Sequence, residues 1–240
     1  MKRLPRRVLI TALAVFSLFS VIRAPVSLVT LWLPKTIQLK NVEGSLWNGS
    51  MSAIGVDGMI VQERVEWHFR PQALMSGALA WAVSGRFGGQ ASALSLTLRG
   101  TGAQLNEVSV YLPLEPLAAL HPKLKLAQLG ALLHVTSGRL SLHAPIKVAV
   151  DVDRAFSPLA AQSGQFGSYR VEVEVAADGK GRWTLSSSPV LLSATGAGQF
   201  DVNRRLIDGR LVLTPSAPIP GLSPLLTQLP RAGDGYLITL

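Results

Sequence analysis

The chain contains no cysteine. Disulfides, zinc–thiolate sites, iron–sulfur clusters and thiol nucleophiles are therefore excluded. Charge is scarce too: Asp, Glu, Lys and Arg make up 15% of 240 residues, against 48% hydrophobic. There is no G-x-S-x-G elbow, no G-x-x-x-x-G-K-[ST] loop, no H-E-x-x-H and no G-x-G-x-x-G. The four histidines, His68, His121, His134 and His143, never stand at i, i+2 or i+4 from one another, which removes a local metal motif. His143, Asp151 and Asp153 come nearest to a catalytic set, if their strands pair. The ordinary reading of both aspartates is a solvent face on an amphipathic strand. Ser186, Ser187 and Ser188 read as a polar loop, with no base spaced to activate a hydroxyl. No enzyme activity, cofactor or metal is expected.

Acidic residues are outnumbered, 14 against 23 basic, for a formal net charge of +9. Lys2, Arg3, Arg6 and Arg7 stand before the first apolar run, and the other basic residues are scattered. No basic stripe remains for nucleic acid, and none is expected as a partner.

Long hydrophobic runs are rare as well, with one exception. Val8 to Ile22 is continuously apolar or small, flanked by Arg7 and Arg23. At 1.5 Å per residue it covers about 22 Å, and the two arginines can snorkel to reach the interfaces of a roughly 30 Å hydrocarbon core. Cleavage after Ala24 would put Ile22 at −3 and Pro25 at +1, a poor site, so an uncleaved anchor over about residues 8–24 is expected. The basic head keeps the N-terminus cytoplasmic. Residues 1–34 then comprise head, anchor and a short juxtamembrane helix over Pro25–Pro34, with Trp32 at the headgroup level. Residues 35–240 form one periplasmic β-rich domain, and the localisation is the cell inner membrane, crossed once.

The body reads as strands. Asn48-Gly49 and Asp57-Gly58 favour the positive φ angles of type I′ turns, so Glu43–Trp67 is expected to hold two hairpins. Trp47 would face Ser50, Val56 would face Met59 and Ile54 would face Val61. Trp47, Ile54, Val56, Met59, Val61, Val65 and Trp67 would share the core face. Ala78–Val83, Ser92–Arg99, Val108–Leu112, Lys147–Asp153 and Tyr169–Val175 follow as strands. Hairpins are expected about Ser137-Gly138 and Asp208-Gly209, a short helix over Leu222–Leu229 and a terminal strand over Tyr236–Leu240. Leu114–Gln128 reads as one or two helical turns, and Arg154–Gly167 as a polar, mobile insertion. Trp67, Pro71, Leu74 and Gly77 have a faint echo in Trp183, Pro189, Leu191 and Gly196. The expected fold is mainly β: one strongly curved antiparallel sheet or sandwich with short helices at its ends.

Glu43-Gly44-Ser45-Leu46-Trp47-Asn48-Gly49 resembles the G-[ST]-L-W-x-G signature of the type II secretion system protein N family. Trp67, Pro71, Leu74 and Gly77 are similar to that family's W-x-x-x-P-x-x-L-x-x-G segment. The positions that match the family motif are Gly44, Leu46, Trp47, Gly49, Trp67, Pro71, Leu74 and Gly77, and the resemblance implies structural roles for them. The resemblance implies a non-catalytic accessory of type II secretion, which exports folded proteins across the outer membrane. Its partners would be other secretion components, through protein contact, and inner-membrane lipid, through the anchor. A lipid-handling protein that holds acyl chains in a curved sheet is the alternative. An open apolar groove on the sheet would favour it, and a filled inner face would not.

Overall fold

The computed structural model describes residues 23–26, 33–100, 102–118, 128–141, 145–189, 191–204, 206–219 and 222–239. The expected anchor, most of Pro25–Pro34 and His143 lie outside the described residues. Among those described, no helix is long and apolar enough to cross a membrane.

Alternating apolar and polar residues build one antiparallel sheet of fifteen strands. In chain order they are β1 (Ile37–Lys40), β2 (Glu43–Gly44), β3 (Asn48–Val56), β4 (Met59–Phe69), β5 (Leu79–Phe87), β6 (Gln90–Arg99), β7 (Gly102–Pro113) and β8 (Gly130–Ser141). β9 (Ile146–Phe156), β10 (Gly167–Val175), β11 (Lys180–Pro189), β12 (Leu192–Asp201), β13 (Leu206–Pro215), β14 (Arg231–Ala232) and β15 (Gly235–Thr239) complete it. From β3 to β13 consecutive strands pair with one another. β1 and β2 run along β3 at one edge, and β15 with β14 forms the other. The sheet is open, and the described strands belong to it alone, so it is not a sandwich. Short helices α1 (Glu115–Ala118) and α2 (Ser223–Leu226) and two 3₁₀ helices, Pro71–Ser76 and Pro158–Ser163, cross its ends.

Bulges bend it, three of them at residues of positive φ. Arg64 in β4, Glu107 in β7 and Arg154 in β9 take φ of 49°, 52° and 53°, each where the pairing register shifts. An extra residue on one strand bends that strand and increases its twist. The bend brings β4 opposite β7: buried Gln62 donates from Nε2 to Ser92 Oγ at 3.3 Å and also to the carbonyl of Tyr111.

Several expected turns are not turns. The first hairpin closes over Ser45–Asn48, with Gly44 opposite Gly49, so Trp47 sits in the loop and does not face Ser50. The second does turn at Asp57-Gly58, φ 50° and 84°, with Val56 opposite Met59. There Val61 is left out of register and Ile54 pairs with Gln62. Of the seven residues expected on one core face, only Val65 and Trp67 are fully buried. Ser137-Gly138 lies inside β8 and Asp208-Gly209 inside β13. Residues 154–167 are not a loop: β9 continues to Phe156, then the second 3₁₀ helix packs inward.

That inward packing forms the core. Phe166 and Ile219, each 1% exposed, are the largest fully buried apolar side chains and meet Ala131, Ala155, Ala160, Leu192, Leu222 and Leu226. The cluster sits at the end of the sheet where β9 stops and β10 starts, under α2. Tyr169 packs against it and donates its hydroxyl to the Leu192 carbonyl at 2.7 Å. Burial pushes that phenol up to about 12.

Candidate functional site: the motif loop and two unlike sheet faces

The signature residues converge at the opposite end of the sheet from this core. Gly44, at φ 97°, turns the chain into the loop. Ser45 N–H donates to the Asn48 carbonyl at 2.9 Å, and Ser45 Oγ accepts from the amides of Trp47 and Asn48 at 3.3 and 3.2 Å. Two indoles hold the loop from the sheet: Trp67 Nε1 donates to Ser45 O at 2.9 Å, and Trp81 Nε1 to Leu46 O at 3.0 Å. The Trp47 ring meets Phe69 edge-on at 4.8 Å and lies nearly parallel to Trp81 at 6.1 Å. Trp67 lies across Gly49, its direct cross-strand partner, and fills the place of a side chain there.

The second half of the signature is a crossing. Pro71 opens the first 3₁₀ helix and Gly77, in the left-handed region at φ 65°, closes it, donating to Ala73 and Leu74 carbonyls. Leu74 is 53% exposed and Met75 93%. The loop also receives the chain from the N-terminal side: Leu46 N–H donates to the Ala24 carbonyl at 3.0 Å, and Pro25 bridges to Ser45.

The sequence holds a second copy of this crossing. Phe69-x-Pro71-x-Ala73-x-x-Ser76-Gly77 recurs as Phe156-x-Pro158-x-Ala160-x-x-Ser163-Gly164. Both runs carry a 3₁₀ segment between two strands, one at each end of the sheet, the second kinked at Ala160. The expected echo at Trp183 to Gly196 falls instead on β11 and β12, with no 3₁₀ helix between them among the described residues. Trp183 lies across Gly198 and Gly209, however, much as Trp67 lies across Gly49.

The two faces of the sheet differ sharply. One carries a polar row across four strands: His134, Asp151, Arg170 and Ser186 stand opposite one another on β8 to β11. Arg170 clasps Asp151 through Nε–Oδ1 at 2.6 Å and Nη2–Oδ2 at 3.0 Å. Those hydrogen bonds, with the charge of the guanidinium, hold the Asp151 carboxyl below the usual carboxylate range, against an opposing push from burial. Glu174 is held low likewise by Lys147 and Arg182. Ser109 Oγ lies 2.9 Å from His134 Nε2, and the His134 ring stacks on Tyr111. This is a serine, a histidine and an aspartate in sequence across the sheet. Both Asp151 oxygens, however, are taken by Arg170, and no hydrogen bond joins His134 to Asp151 among the described residues. His134 stands opposite Asp151, and His143, expected near it, lies outside the described residues. Asp153, Ser186, Ser187 and Ser188 line the same shallow cleft of about 460 Å³. Among the described residues no three His, Asp or Glu side chains are placed to hold a metal.

The other face is an apolar row. Val110, Val135, Val150, Val171 and Leu185 stand opposite one another on β7 to β11, with Val148 and Val173 in the next rank. All are only half-buried. Among the described residues no second layer packs on them, and α2 and its neighbours cover the far end alone.

The strand order and the aromatic loop therefore place the signature residues in one structural unit. A family model for type II secretion system protein N matches residues 35–238. The chain belongs to this family. The match spans β1 to β15 and includes every signature position. Neither the curated proteins nor the solved structures give a match. The chain is thus a type II secretion component by family, and its family is one of secretion accessories.

Proposed function

We propose that the chain acts without catalysis, as an accessory that the inner membrane holds by residues 8–24 and that presents residues 35–240 to the periplasm. There it assists export of folded proteins across the outer membrane by docking to other secretion components. The family match over the whole sheet carries this reading. The edge strands β1 and β14 offer main-chain groups for strand pairing with partners. Cells lacking the chain are expected to retain folded secretion substrate in the periplasm. Secretion returns with the full chain but not with residues 35–240 released from a cleaved signal. Unchanged secretion in the deletion strain would refute the reading.

The half-exposed valine rows favour a second reading, that this face holds acyl chains. Organic extracts of the purified full chain would then contain lipid in fixed ratio, and Val150→Arg would lose it. Equal lipid in both proteins would assign it to the anchor and count against the groove.

A further inference from the structure

The two F-x-P-x-A-x-x-S-G crossings share a strand–3₁₀–strand course but differ in backbone, the second being kinked at Ala160 and ending in a Gly164 of ψ −149° where Gly77 has 29°, and they differ in burial. Around the second, Ser157, Ala160 and Phe166 are at most 3% exposed, under Ile219, Leu222 and Leu226. The first has no buried residue, and its apex, Leu74 and Met75, projects outward. Nothing among the described residues covers it. An apolar tip so exposed is costly in water and marks a contact surface.

The surroundings of the bare crossing say what the contact is. The described segments around the motif loop, at one corner of this end of the sheet, are residues 23–26, 44–48, 69–79, 97–100 and 102–103. They contain Arg23, Arg70 and Arg99, and exposed Glu43, directly before Gly44, is the carboxylate that borders them. Arg70 and Arg99 are exposed and form no ion pair among the described residues. Half-buried Trp47, Phe69 and Trp81 stand behind them, aromatic residues of the kind that settle at headgroup level. Finally, the chain leaves the sheet here: Ala24, hydrogen-bonded to Leu46, is the last residue before the apolar run Val8–Ile22 and its arginine. An anchor ending at this point brings this end of the sheet, and no other, to the bilayer.

We propose that the first 3₁₀ crossing docks on the headgroup layer of the membrane that holds the chain's own N-terminal run. Met75 and Leu74 enter the acyl boundary, and Arg70 and Arg99 pair with anionic lipid phosphates. The sheet then stands on the bilayer by its motif end, with the α2-covered core pointing away. This rests on the anchor reading above.

With no native cysteine, Met75→Cys and Leu159→Cys each give a single thiol in the full chain. Each variant, carrying an environment-sensitive fluorophore, is reconstituted into phosphatidylglycerol–phosphatidylethanolamine vesicles. The label at position 75 is expected to be several-fold less quenched by iodide than that at 159, and to be quenched by headgroup-proximal nitroxide lipid. Arg70→Glu with Arg99→Glu restores its access to iodide. Equal iodide access at both positions, in vesicles that retain the protein, overturns the docking and leaves the anchor standing. Shielding at 75 that persists in detergent and grows with protein concentration overturns it in favour of a second copy. A chain that carbonate strips from the vesicles refutes the anchor itself, and the docking with it.

Discussion

Replacing Gly49 by valine is expected to destabilise the chain by about 3 kcal/mol, because nothing can move aside cheaply. A Cβ at this position would run into the Trp67 indole on one side and the Glu43 carbonyl on the other. The indole is fixed by its hydrogen bond to Ser45 O, and the carbonyl belongs to the ladder between β2 and β3. Relief therefore requires the hairpin to open, which also frees the loop contacts of Trp47 and Trp81. For a chain of this length the melting temperature would fall by roughly 6–12 °C. Gly49→Ala should move it the same way by less. Gly100, with open space around it, is the control, and Gly100→Ala should stay within about 0.5 kcal/mol. Thermal or denaturant unfolding monitored by tryptophan fluorescence reads all three. A neutral Gly49→Val would mean that Trp67 does not lie over β3.

The same glycine explains where the sequence was legible and where it was not. Asp57-Gly58 is a turn because both residues adopt the positive φ that the dipeptide favours, a demand met locally. Asn48-Gly49 and Asp208-Gly209 carry the same local signal and yet lie in strands. Their glycines admit an indole from another strand: Trp67 of adjacent β4 over Gly49, and Trp183 of β11, reaching past Gly198 of β12, over Gly209. That requirement is set by pairing between distant segments, which a dipeptide does not encode. Ser137 is similar. It is buried and donates to the Lys147 carbonyl at 2.6 Å, a partner on the next strand.

Clean alternation was dependable: Tyr169–Val175 and Lys147–Asp153 are strands, extended by a few residues. The helix after the C-terminal proline-rich turn is there as α2. Residues 154–167 read as a polar loop because Ser, Gln, Ala and Gly dominate them. The one large apolar residue that matters, Phe166, comes at their end. Aligning Phe156-x-Pro158 with Phe69-x-Pro71 would have revealed the crossing. The signature itself was visible in full, but its contact with Ala24 joins residues far apart in sequence and appears only in the fold.

The largest loss expected from one side-chain truncation is at Phe166, and it belongs to a paired comparison. If the core lies at one end of the sheet and the valine rows are open, Phe166→Ala should cost about 3–5 kcal/mol. Val150→Thr and Val173→Thr should each cost about 1 kcal/mol or less, since a hydroxyl at a half-wet position keeps its water. Threonine keeps the shape and strand preference of valine, so the substitution isolates burial from both. Denaturant unfolding of the three variants beside the parent chain is therefore the most direct measurement. One large loss and two small ones are the predicted result. Losses of about 2 kcal/mol or more at both valines, or a harmless Phe166→Ala, would contradict a one-sided sheet with its apolar face free to receive a partner.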